Sequence, residues 1–140
     1  MASSPTVTRT SGWVSFASWM LMLAGLFQLF IGFLGVLSQD FYVKGQNWIA
    51  RFDVTTWGWI HMAIGLLLFL TGIFVALGRG WATTVGIIVS GISAIGMFAW
   101  TPYYPVWAAT IIAVDVLIIY GLAAHGGEIG NESPGGIGGL

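Results

Sequence analysis

The chain has 140 residues, 57% of them hydrophobic and 15% aromatic, with a formal net charge of −1. Only 6% are charged, against about 25% in soluble domains. A water-facing surface cannot be built from four Lys/Arg and five Asp/Glu, and no basic patch points to nucleic acid. Cysteine is absent, which excludes disulfides, thiol redox chemistry and Cys-ligated metals.

In a bilayer every backbone polar group must be satisfied internally, by helices or by a closed barrel. Barrel strands alternate polar and apolar residues. The apolar runs here are continuous and about 20 residues long, which suits helices crossing ~30 Å of hydrocarbon. The expected fold class is therefore all-α, an integral membrane four-helix bundle.

Residues 1–12 are polar and Ser/Thr-rich and read as a disordered tail. The transmembrane domain covers 13–124, with spans at 13–37, 57–77, 81–100 and 105–124. The first run is too long for the h-region of a cleaved signal and is expected to remain as an anchor. Between spans one and two, Ser38 to Thr56 mixes Asp40, Lys44, Arg51 and Asp53 with Phe41, Tyr42, Trp48, Ile49 and Phe52. That mixture predicts an interfacial loop, as a short helix or a two-stranded flap. Gly78-Arg79-Gly80 and Thr101 to Tyr104 read as tight turns, and the Gly-rich stretch 125–140 as a flexible tail.

Four spans put both ends of the domain on one side. Lys and Arg counts tie, Arg9 and Arg79 against Lys44 and Arg51, which permits dual topology. The position of Arg79 directly at helix ends favours cytoplasmic termini. Trp57, Trp59, Tyr103, Tyr104 and Trp107 form an aromatic rim on the side of the first loop, the residue types that anchor helix ends at headgroup level.

Gly58, Gly65 and Gly72 recur every seven residues in span two, and Gly25 and Gly32 repeat the device in span one. Gly86 belongs to a small-residue stripe in span three with Ala82, Ser90 and Ala94. These are helix-packing positions, because small residues let backbones approach closely in lipid.

Asp115 is the one Asp, Glu, Lys or Arg inside any of the four runs. A charge at the bilayer centre costs at least about 2.5–3.5 kcal/mol on insertion scales. Ser90 and Ser93 fall at the same depth in span three, near the midplane. From a rise of 1.5 Å per residue, Gln28 lies roughly 5 Å and His61 roughly 9 Å toward the first-loop side. These five residues are expected to form a polar membrane column. A structural clamp, a proton or cation site, and recognition of a partner helix or lipid are all compatible with it. His61 and His125 belong to opposite faces, so they cannot share one haem iron, and neither metal nor cofactor is expected.

Gly12-Trp13, Thr56-Trp57-Gly58-Trp59 with His61, Pro102-Tyr103-Tyr104-Pro105 with Trp107, and Asp115 together resemble a family of small actinobacterial four-span membrane proteins of unknown function. The resemblance runs from about Gly12 to His125. It implies a plasma-membrane protein and supplies no catalytic residue. The role expected from sequence is non-enzymatic, a scaffold or accessory subunit whose partners are the lipid bilayer, other membrane proteins or a second copy of the chain. The alternatives are a small dimeric proton- or ion-coupled transporter or channel using Asp115, and a quinone-interacting protein using His61 and Trp57.

Overall fold

The computed structural model describes residues 12–37 and 54–127. Residues 38–53 of the expected interfacial loop, and residues 1–11 and 128–140 of the outer tails, lie outside the described residues, whereas residues 54–56, Gly12 and His125 belong to helices. Four helices follow in order: α1 Gly12–Leu37, α2 Val54–Ala76, α3 Gly80–Trp100 and α4 Pro105–His125. Each is long and apolar enough to cross a membrane, and the described residues contain no strand. α2 starts three residues before the expected Trp57.

The turns follow from local chemistry. Gly78 takes φ 75°, a left-handed conformation that favours glycine. This lets Arg79 N–H reach the Phe74 carbonyl at 2.9 Å and Gly78 N–H reach Val75 at 3.0 Å, the paired bonds of a Schellman cap. At the opposite face Pro105 opens α4, where its missing N–H has no helical partner to lose. The preceding turn is closed by Tyr103 and Tyr104 N–H groups donating to the Trp100 carbonyl, both at 3.0 Å.

The helices form a ring in chain order. α1 packs on α2 and α4, and α3 packs on α2 and α4, with the α1–α2 contact by far the most extensive. That contact is antiparallel and backbone to backbone. A Cβ built on Gly65 would lie 2.6 Å from Leu29 N and 2.8 Å from Gly25 O; one on Gly58 would lie 2.7 Å from Gly32 O. One on Gly72 would lie 2.8 Å from Ser18 O. The pairs 18/72, 25/65 and 32/58 keep one register for the length of both helices. Ser18 is thus the third small residue of α1, a position that a search for glycines passes over.

The side-chain core is Val14, Ala17, Leu21, Leu68, Val75, Ala82, Ile118 and Leu122. It occupies the half of the bundle nearest Gly12, the α2–α3 turn and His125. At its edge Gly121 lets α4 approach α1, its Cβ position being 2.9 Å from the Trp13 carbonyl. Toward the other face α3 buries nothing beyond Ser90. Ile92, Ile95 and Phe98 are exposed there, Ile95 by 77%.

Candidate functional site around Asp115

α3 and α4 each place a polar residue at mid-length. Asp115 is 7% exposed and Ser90 1%. The Ser93 hydroxyl is the hydrogen-bond partner of the Asp115 side chain, so α3 and α4 are tied across their seam. Asp115 Oδ2 is nevertheless buried without a partner, and so is Ser90 Oγ.

Two further atoms share this condition. Thr83 Oγ1 is buried and unpartnered one turn into α3, and His125 Nδ1 is so at the end of α4. Thr83 lies against the turn that follows His125, because the Cβ position of Gly126 is 2.5 Å from Thr83 Cγ2. Trp13 stacks on the His125 ring at 6.2 Å, and Tyr120 meets it edge-on. The polar seam thus runs from Asp115 toward the face that carries the ends of the domain.

Other buried hydroxyls behave differently. Ser18 donates to the Ser15 carbonyl at 2.8 Å, and Thr71 donates to Leu67 at 2.7 Å. This local back-bonding is the ordinary way for a helical hydroxyl to satisfy itself. Thr83 and Ser90 do not use it, so the polar capacity of the α3–α4 seam exceeds what the protein's own groups fill.

The remaining members of the expected column lie elsewhere. His61 Nδ1–H donates to the Trp57 carbonyl of its own helix at 3.0 Å, and its ring packs on Trp57 at 3.7 Å. Nδ1 therefore carries a proton. Gln28 is half-buried beside the α1–α2 glycine register. Among the described residues neither hydrogen-bonds Asp115. Of the aromatic rim, Trp59, Tyr103, Tyr104 and Trp107 are exposed, while Trp57 is half-buried. Tyr103, Tyr104, Pro105, Val106, Trp107 and Thr110 border a shallow apolar depression of about 440 Å³. No group of three or more His, Cys, Asp or Glu able to hold a metal occurs among the described residues.

Magnitudes separate the roles open to Asp115. Its place at the bilayer centre costs at least about 2.5 kcal/mol. An interhelical hydrogen bond in a membrane protein contributes about 0.6 kcal/mol on average and about 1.7 at most. One bond to Ser93 does not offset the acid, and a clamp alone leaves its second oxygen unexplained.

No curated protein and no solved structure matches the chain. Residues 13–127 match a domain of unknown function, DUF7144. That match takes in all of α2, α3 and α4 and nearly all of α1, so the Asp115 seam and the glycine register both lie within it. The chain belongs to the DUF7144 family.

Proposed function

We propose that the protein is a small multi-pass membrane protein in which Asp115 is the working group for passage of protons or small monovalent cations. The observation that carries this reading is the unpartnered Oδ2 of a carboxyl held at the centre of a membrane-length helix. Intramembrane acids of this kind mark ion pathways and proton relays. The neighbouring Ser90 and Ser93 hydroxyls supply hard oxygen donors of the type such ions accept. Purified protein in vesicles loaded with a pH dye tests it. Proton or sodium flux above protein-free vesicles is expected, reduced at least tenfold by Asp115→Asn and retained by Asp115→Glu. Flux that is absent, or equal in Asp115→Asn, would sink the reading.

A second reading, a scaffold or accessory subunit, is favoured by the bare half of α3. Cβ atoms built on Gly91 and Gly96 meet nothing within 4 Å, whereas those on Gly25, Gly32, Gly58, Gly65 and Gly72 meet another helix's backbone. A photo-crosslinker at Ile95 is expected to give one discrete protein adduct in native membranes, and one at Leu66 of α2 none. Lipid adducts alone at both positions would remove this reading.

A further inference from the structure

Asp115 can exchange with water only by a route through the bundle, and the unpartnered atoms of α3 and α4 indicate one. Thr83 Oγ1, Ser90 Oγ and Asp115 Oδ2 are each buried without a partner, in side chains 8%, 1% and 7% exposed. An unsatisfied buried polar group costs about 1–3 kcal/mol, and water is the commonest remedy. On α3 the positions Thr83, Gly86, Ser90 and Ser93 follow the three-and-four spacing of one helix face. That face meets α4: Thr83 touches the Gly126 position, Gly86 meets Leu122, and Ser93 bonds Asp115.

The line is interrupted once. Thr83 and Ser90 are about 10 Å apart along the helix. Between them the space over Gly86 is filled by the ends of two leucines. A Cβ there would lie 2.7 Å from Leu122 Cδ1 and 3.2 Å from Leu21 Cδ1. These are the tips of flexible side chains, not backbone. A rotamer change at Leu122 takes place within nanoseconds at exposed sites and more slowly in a packed core. Such a change would open the space over Gly86 between the two hydroxyls.

We propose that Thr83, Ser90 and Asp115 line a half-channel that admits water from the face carrying Gly12, the α2–α3 turn and His125. Leu21 and Leu122 close it at Gly86. The occupant is water, and the unpartnered His125 Nδ1 stands at the mouth. On the other side of Asp115 no comparable series exists among the described residues, since His61 and Thr110 bond carbonyls of their own helices. The inference deepens the ion-passage reading and rests on it for its purpose, but the route itself is testable without any flux.

The absence of cysteine makes the test direct. Single cysteines at Thr83, Ser90, Ser93 and, as a lipid-facing control, Ile92 are reconstituted in vesicles and exposed to silver ion from each side. Thiols react as thiolates, which form only where water reaches. Gly127→Cys and Tyr103→Cys, probed with an impermeant methanethiosulfonate, report which face is outside. Thr83→Cys and Ser90→Cys are expected to react from the Gly127 face at least tenfold faster than Ile92→Cys. Adding Leu122→Ala should raise the Ser90→Cys rate about fivefold and leave Thr83→Cys unchanged. If Ser90→Cys fails to insert, Ser93→Cys carries the same expectation.

The proposal is overturned if these cysteines react no faster than Ile92→Cys, or react from the Tyr103 face. An unchanged Ser90→Cys rate in Leu122→Ala overturns the closure at Gly86. Labelled cysteines in a protein without Asp115-dependent flux would leave the route standing and the ion-passage reading fallen. Asp115-dependent flux without labelling would do the reverse.

Discussion

The two hairpins of this bundle are held together by different means. α1 and α2 meet through backbone at three levels, Ser18 with Gly72, Gly25 with Gly65, and Gly32 with Gly58. α3 and α4 meet through side chains: Thr83 against Gly126, Leu122 over Gly86, and the Ser93–Asp115 bond. A backbone seam has one good geometry, since neither helix can give way locally. A side-chain seam can repack by rotamer. Among the described residues the unpartnered buried polar atoms all belong to the second hairpin, where the packing can change. One hairpin serves as the fixed wall and the other as the adjustable one.

The sharpest way to break this contrast is to add one methyl group to each seam. In Gly65→Ala the new Cβ falls within 2.8 Å of backbone atoms of Gly25 and Leu29. The helices must separate, and α1 loses contact along its length. A destabilisation of about 1–3 kcal/mol or more is expected, measured by reversible unfolding in mixed micelles. A variant as stable as wild type would mean that α1 and α2 are not in backbone contact.

The next largest effect has the opposite sign. Asp115→Val removes a cost of at least about 2.5 kcal/mol and gives up a bond contributing about 1.7 kcal/mol at most. The Ser93 hydroxyl can then turn to a carbonyl of its own helix, as Ser18 and Thr71 already do. The alkali-resistant membrane fraction is expected to rise or hold, while flux is lost. A fall in that fraction would make Asp115 a structural clamp and remove the argument for function from its cost.

Gly86→Ala sharpens the other side of the comparison. Its Cβ meets only side-chain tips, Leu122 at 2.7 Å and Leu21 at 3.2 Å. Both are far ends of flexible side chains that can shift to make room, so the loss should be smaller than in Gly65→Ala, where backbone must move. Because the added methyl group fills the proposed passage, Ser90→Cys labelling should fall further than stability does. Equal losses for Gly86→Ala and Gly65→Ala would erase the distinction between the two seams.

The four spans were legible because length and apolar continuity are one-dimensional properties. The glycine register of α1 and α2 was legible for a related reason, since a seven-residue repeat holds one helix face. Direction around the helix axis was harder to read. Depth and the small-residue faces of their helices place Gln28 and His61 inside the bundle, yet neither says which neighbour a residue meets. The glycines three and four residues away on the same helices tie that face to the α1–α2 seam. Thr83 and His125 could have been found by continuing the Ser90 stripe back one heptad and reading α4 to its last turn. Ser18 was hidden because a back-bonded serine packs as a small residue without being glycine.

The smallest effect is the most discriminating for what lies outside the bundle. Gly91 and Gly96 sit in the half of α3 where nothing is buried, and a Cβ at either meets no atom within 4 Å. Within this chain alone, alanine should be neutral or stabilise by up to about 1 kcal/mol, because glycine is the poorer helix former. Purified Gly96→Ala is therefore expected to unfold no earlier than wild type. The same substitution reads differently where a second helix packs on this face in the membrane. There the methyl group would push the partner away as it does between α1 and α2, and the Ile95 photo-adduct would weaken. Unchanged stability with a lost adduct would assign the bare half of α3 to a helix partner. Unchanged stability with no adduct in either protein would assign it to lipid, leaving Asp115 as the part of the chain with work to do.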